Sequence, residues 1–182
     1  MKGSRGTRGQ MKKESLETSK TSIPQMESAF NELADKFFKK GLTPKDAMGI
    51  NNNLLEGIYA QAYRLYNTGK YVEATHLFRM LILTNPAETK YLLGLAACFH
   101  MLKEYKNAIQ TYTMCSILDP QSPLPHYHSS DCFIQMKDYL SAMLSLEMSI
   151  SKAADRPEYA KMKERAALSL DSLKNQAAPP TS

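Results

Sequence analysis

Apolar residues along this chain recur at helical rather than alternating spacing. Residues 1–22 are mainly Gly, Ser, Thr, Lys and Arg with few large apolar side chains, so burial cannot offset their ordering entropy, and disorder is expected there. The pattern changes from Met26. Phe30, Leu33, Ala34, Phe37 and Phe38 fall at i, i+3, i+4, i+7 and i+8, one stripe of an amphipathic helix that ends at Gly41. Thr43, Pro44 and Asp46 then supply an N-cap, a first-position proline and a first-turn acid, which predicts that a second helical segment starts there. Residues 26–54 thus read as an N-terminal helical segment behind a basic leader, 1–25.

From Leu55 onward the chain repeats with a period of 34 residues. Tyr71, Tyr105 and Tyr139 keep this interval, as do Ala74, Ala108 and Ala142. Phe78, Tyr112 and Leu146 continue it, and so do Leu81, Cys115 and Ser149, with Pro86 and Pro120 closing the first two units. The units are 55–88, 89–122 and 123–156. Small residues at the eighth place of each, Ala62, Ala96 and Ser130, let two helices approach closely, so each unit is expected to be a helix-turn-helix hairpin. No such hairpin buries its face alone. Three should stack into an all-α solenoid with capping helices at its ends. Met162, Ala166, Leu170 and Leu173 predict a capping helix over 157–176, followed by a frayed tail, 177–182.

Composition narrows the class further. A chain of 182 residues with 43% apolar content is about one domain, and 8 Gly, 9 Pro and no Trp exclude collagen-like and low-complexity chains. The longest mostly apolar stretch, Tyr91 to Phe99, falls well short of the ~20 residues of a membrane span. Neither a signal-peptide core nor stable membrane association is expected. The net charge of +5 is concentrated in residues 1–25, which carry +4, so the remainder is close to neutral and lacks an electrostatic footprint for nucleic acid. Cys98, Cys115 and Cys132 are odd in number and 17 apart, which points to a reducing compartment and away from a disulfide framework or a zinc site. Cys98 and Cys132 hold the same place in successive units, and all three are expected to be buried small hydrophobes. Most of the 11 methionines, Met80, Met101, Met114, Met136 and Met143 among them, are expected in the core, though some could form an adaptable surface.

The small residue, the Tyr-x-x-Ala and the terminal proline at these offsets resemble the tetratricopeptide repeat, with Ile58, Leu92 and His126 where that repeat has its first-helix Trp. The resemblance extends further, through Leu65-Tyr66-Asn67-Thr68-Gly69-Lys70-Tyr71, Tyr91-Leu92-Leu93-Gly94-Leu95-Ala96-Ala97-Cys98 and Pro123-Leu124-Pro125-His126-Tyr127-His128-Ser129-Ser130-Asp131-Cys132. Across residues 30–175 the chain is similar to the tetratricopeptide chaperones of bacterial type III secretion translocators, the class of SycD, LcrH and IpgC. That resemblance implies a cytoplasmic protein that keeps hydrophobic translocators soluble and secretion-competent. It also favours a homodimer through Phe30, Leu33, Phe37 and Phe38, a stripe too apolar to face water unless it caps the solenoid. A generic tetratricopeptide scaffold in another assembly is the alternative.

In repeat geometry, places two, five, nine and twelve of each first helix face a concave groove. They are Glu56, Tyr59, Tyr63 and Tyr66, then Lys90, Leu93, Ala97 and His100, then Leu124, Tyr127, Asp131 and Ile134. The groove is tyrosine-rich and mostly apolar, suited to an extended peptide with a few apolar anchors. Clamping a terminal carboxylate would need Lys or Arg and Asn where Tyr59 and Tyr63 stand, so that mode is disfavoured. Catalysis has little support: His126 and His128 diverge by ~200° on a helix, and no H-x-x-x-H, phosphate loop or nucleophile elbow occurs. No metal, cofactor or catalytic residue is expected.

Overall fold

A computed structural model describes residues 43–177. The stripe of Phe30, Leu33, Phe37 and Phe38, the basic leader and residues 178–182 lie outside the described residues. Among the described residues every regular element is helical. Thr43 opens α1 (Pro44–Ala47) through a capping box: its backbone N–H donates to Asp46 Oδ2 at 3.0 Å and its hydroxyl accepts from the Asp46 N–H at 3.4 Å. The helix lasts only four residues, because Gly49 takes φ +64° and turns the chain. Asn51 then caps α2 (Asn52–Asn67), accepting from the Asn53 N–H at 2.9 Å.

Five more helices complete three hairpins: α3 (Tyr71–Thr84), α4 (Thr89–Met101), α5 (Tyr105–Leu118), α6 (Leu124–Gln135) and α7 (Tyr139–Ala153). From α2 onward each helix packs on the next in sequence, with further contacts from α1 to α3 and from α2 to α4. The turn inside each hairpin is built alike. Gly69, Lys103 and Lys137, 34 apart, take φ of 78°, 62° and 62°. In each, the following N–H closes back over the helix end at 2.9 Å: Lys70 to the Leu65 carbonyl, Glu104 to Phe99 and Asp138 to Phe133. This is a Schellman closure with a left-handed residue just past the helix.

The repeated positions form the core. Ala62, Ala96 and Ser130, Ala74, Ala108 and Ala142, Phe78, Tyr112 and Leu146, and Leu81, Cys115 and Ser149 are all at most 1% exposed. Two apolar clusters result. One runs from Leu55 through α5 to Cys132, and the other joins Ala142 and Leu146 to Ala166 and Leu173. The last two residues sit on α8 (Ala160–Ala177), which is preceded by a 3-10 turn, Pro157–Tyr159. Leu170 packs on the same cluster, and Met162 sulfur accepts from the Ser149 hydroxyl at 3.9 Å.

The methionines depart from expectation. Met80, Met101, Met114 and Met136 are exposed and Met143 is half-buried. Alanine, aromatic, leucine and cysteine side chains already occupy the inward positions of the repeat. Met80, Met114 and Met148 instead share one outward register on the second helices, all exposed. No described helix is long and apolar enough to cross a membrane.

Candidate functional site: a tyrosine-lined groove

Tyr59, Tyr63 and Tyr66 share one face of α2 at i, i+4 and i+7. Their rings lie stacked in sequence, Tyr59 to Tyr63 at 6.3 Å and Tyr63 to Tyr66 at 6.4 Å between centroids. Tyr59 also meets Phe78 edge-on at 6.1 Å, and Tyr66 meets Tyr71 at 5.5 Å. Tyr63 has no such anchor beneath it and is 52% exposed. Across from this row stands α4, and between them opens a cavity of about 400 Å³.

Of the candidate groove residues, Tyr59, Tyr63, Tyr66, Lys90, Leu93, Ala97 and His100 line this cavity, and Leu124 joins them from α6. Tyr127, Asp131 and Ile134 do not. Tyr127 and Ile134 pack on the C-terminal apolar cluster, and Ile134 lies in a separate depression with Tyr139 and Leu168. Asp131 is half-buried close enough to His100 to feel its charge.

Four lining residues escape the place rule used on the sequence: Phe78, Gly94, Tyr112 and His128. Gly94 and His128 both hold the sixth place of their units, which lies between places two, five and nine on one helical face at i, i+3, i+4 and i+7. The signal was therefore present in the helical period. Phe78 and Tyr112 are second-helix core positions whose rings also reach the cavity floor. Gly94 is what lets Phe78 sit there: a Cβ on Gly94 would lie 2.3 Å from the ring.

The polar groups divide between the two ends. At one, Lys90 Nζ donates to Glu56 Oε1 at 2.7 Å and sits 4.9 Å from the Tyr59 ring centroid and 5.5 Å from that of Tyr91. The hydrogen bond to Glu56 raises the lysine pKa, and burial raises those of Tyr59, Tyr66 and Tyr91. At the other, His128 stacks on Tyr112 at 5.7 Å and 20°, and burial, then His100, lowers its pKa. Burial pushes the thiol of Cys98 up to about 11 and those of Cys115 and Cys132 to about 12, so they stay protonated and poorly nucleophilic. No cluster among the described residues could hold a metal ion. The arrangement offers apolar walls, a few hydrogen-bonding groups and no nucleophile with a base beside it.

Comparison with known proteins bears on the repeat and the fold. The tetratricopeptide repeat family model matches residues 55–82 and 89–121. Low calcium response locus protein H of Yersinia pseudotuberculosis is 29% identical over 140 residues, 77% of this chain and 83% of that protein. A type III secretion complex from Aeromonas hydrophila superposes with a TM-score of 0.75 at 27% identity, over 80% of this chain and 97% of that one. The Yersinia enterocolitica type III secretion chaperone SycD, solved with a peptide of the translocator YopD, superposes with a TM-score of 0.68 at 26% identity, over 71% and 98% of the two chains. The chain thus carries tetratricopeptide repeats and, in sequence and fold, is similar to the tetratricopeptide chaperones of type III secretion translocators.

Proposed function

We propose that this protein is a bacterial cytoplasmic chaperone that binds a hydrophobic translocator protein without altering it chemically. An extended segment of the translocator lies in the groove between α2, α4 and α6, and its membrane-active regions are thereby kept from aggregating. The observation that carries this reading is the tyrosine row of α2, stacked ring on ring and left open along the cavity. Tyrosine gives a large apolar face at little rotamer cost, which suits anchoring of an extended chain. SycD, of the same fold, is known in complex with a translocator peptide. Ordering the peptide offsets part of the interaction energy, so affinity should be moderate.

The test is co-expression with candidate translocators, comparing the wild-type chain with a Tyr59→Ala, Tyr63→Ala, Tyr66→Ala variant. Each lost anchor should weaken binding by ~1 to 3 kcal/mol if it is a hot spot, with helical content nearly unchanged in circular dichroism. Full cargo affinity in the folded triple variant would refute the groove as the binding site. Capture of a component of some other assembly, with no translocator bound, would favour a general scaffold.

A further inference from the structure

The cavity is chemically two-sided. Its α2 wall is a row of tyrosines, whereas its α4–α6 end brings together two imidazoles, His100 and His128. They belong to different repeats. His128 is stacked on the buried Tyr112, and Asp131 follows it by one helical turn on α6, in the reach of the His100 charge. Building on the groove as the peptide site, we infer that this end is a polar subsite in which His100 and His128 hold hydrogen-bonding groups of the bound peptide, His128 as a neutral imidazole, so that affinity falls on acidification.

The surroundings of His128 set the sign. From α4 it faces His100, a second potential cation. From α5 it faces Tyr112, and on α6 itself Tyr127 meets it edge-on at 5.3 Å, while Asp131, the one acid of α6, lies in reach of His100. Across the cavity α2 presents the phenol rings of Tyr63 and Tyr66. Lys152 of α7 acts on His126 rather than on His128, and Lys90 is paired with Glu56 at the opposite end. In the free protein, burial and His100 already disfavour the charged form of His128. A bound peptide removes more water from both rings and disfavours it further. Binding therefore expels whatever proton His128 holds in the free protein, and the complex weakens as pH drops through that group's own range, which burial sets below the usual ~6.5. Asp131 works in the opposite sense, because burial raises its pKa, but it does so only at lower pH, near the carboxylate range.

The test uses the full chain and the fluorescein-labelled YopD peptide seen with SycD, read by anisotropy. Wild-type protein should bind roughly two- to fivefold more weakly at about pH 5.5 than at about pH 7.5, since one excluded proton changes affinity by at most about tenfold per pH unit, and only below the lowered pKa of His128. His100→Gln with His128→Gln should remove most of that difference, and His128→Gln alone should reduce it. His126→Gln, outside the cavity, should keep it. NMR titration of the imidazoles should show His128 taking up its proton below the usual ~6.5 and lower still with peptide bound. A pH-independent affinity in the wild type, or an unchanged pH difference in the double variant, would overturn the subsite while leaving the groove intact. No peptide binding even at pH 7.5 would remove the groove reading itself.

Discussion

Gly94 and Gly57 are both helical glycines, yet substitution should move stability in opposite directions. Propensity alone favours Ala over Gly by ~0.8 to 1 kcal/mol in a helix interior. At Gly57 nothing lies within 4 Å of an added Cβ, so Gly57→Ala should be stabilising by about that amount. At Gly94 the new atom would lie 2.3 Å from a Phe78 ring that is itself 1% exposed and cannot swing away. Overpacking of that kind costs ~1 to 3 kcal/mol, enough to outweigh the propensity gain. Urea midpoints of the two variants should straddle the wild type, and a Gly94→Ala protein more stable than wild type would contradict the packing described. The thiols belong to the same scale. Unfolded cysteines ionise near ~8.5, whereas in the fold Cys98 waits until about 11 and Cys115 and Cys132 until about 12. Folded pKa values are raised, so the stabilisation is complete below ~8.5 and is lost as pH climbs toward the folded values. Stability should fall by about 1 kcal/mol or more per thiol between pH 8 and 10, seen as a lower urea midpoint, and a flat midpoint would argue against thiol burial. Burial of these cysteines was legible from their place in the repeat. The reach of Phe78 and Tyr112 into the cavity was not, because a core position and a groove floor share one spacing pattern.

At the scale of the element, three hairpin turns of one geometry are closed by Gly69, Lys103 and Lys137, all at positive φ. Lysine in the left-handed region costs roughly 1 to 2 kcal/mol relative to glycine through the crowding of its Cβ. Lys103→Gly and Lys137→Gly should each stabilise the protein by ~0.5 to 1 kcal/mol, the remainder being offset by glycine's greater freedom in the unfolded chain. Thermal melts of both variants check this, and a lower Tm in either would show that the lysine side chain has a compensating contact. Ala154, at φ 48° and ψ −129° beyond α7, is a third non-glycine residue at positive φ. The turns were marked in the sequence only at Gly69, because lysine is no turn signal in two of the three. Helix α1 illustrates the converse: its start at Thr43 was legible from its cap, but its four-residue length depended on Gly49 turning the chain.

At the scale of the whole molecule, the 34-residue register made the fold readable. Each of its positions was written three times, so an ambiguous residue in one unit was resolved by its counterparts. The groove was readable only where one repeat resembles the next. Places five, nine and twelve of the third unit leave the cavity because α7 and α8 continue the stack beneath α6, and Tyr127 and Ile134 are drawn into their cluster. Such departures at the end of an array depend on what caps it, which no single unit encodes.

The neighbour-to-neighbour packing has a consequence for the timing of assembly. All residues lining the cavity lie at or before His128, and its walls come from α2 to α6, each resting on the helix made just before it. Synthesis proceeds from the N-terminus and local contacts form first, so α7 and α8 are the last parts added. A chain still emerging from the ribosome thus presents its receptive surface before its own cap is finished. If the groove is the cargo site, as proposed, cargo made nearby at the same moment would meet walls already in place, and its docking would in turn hold the earlier hairpins together while the remaining helices are laid down.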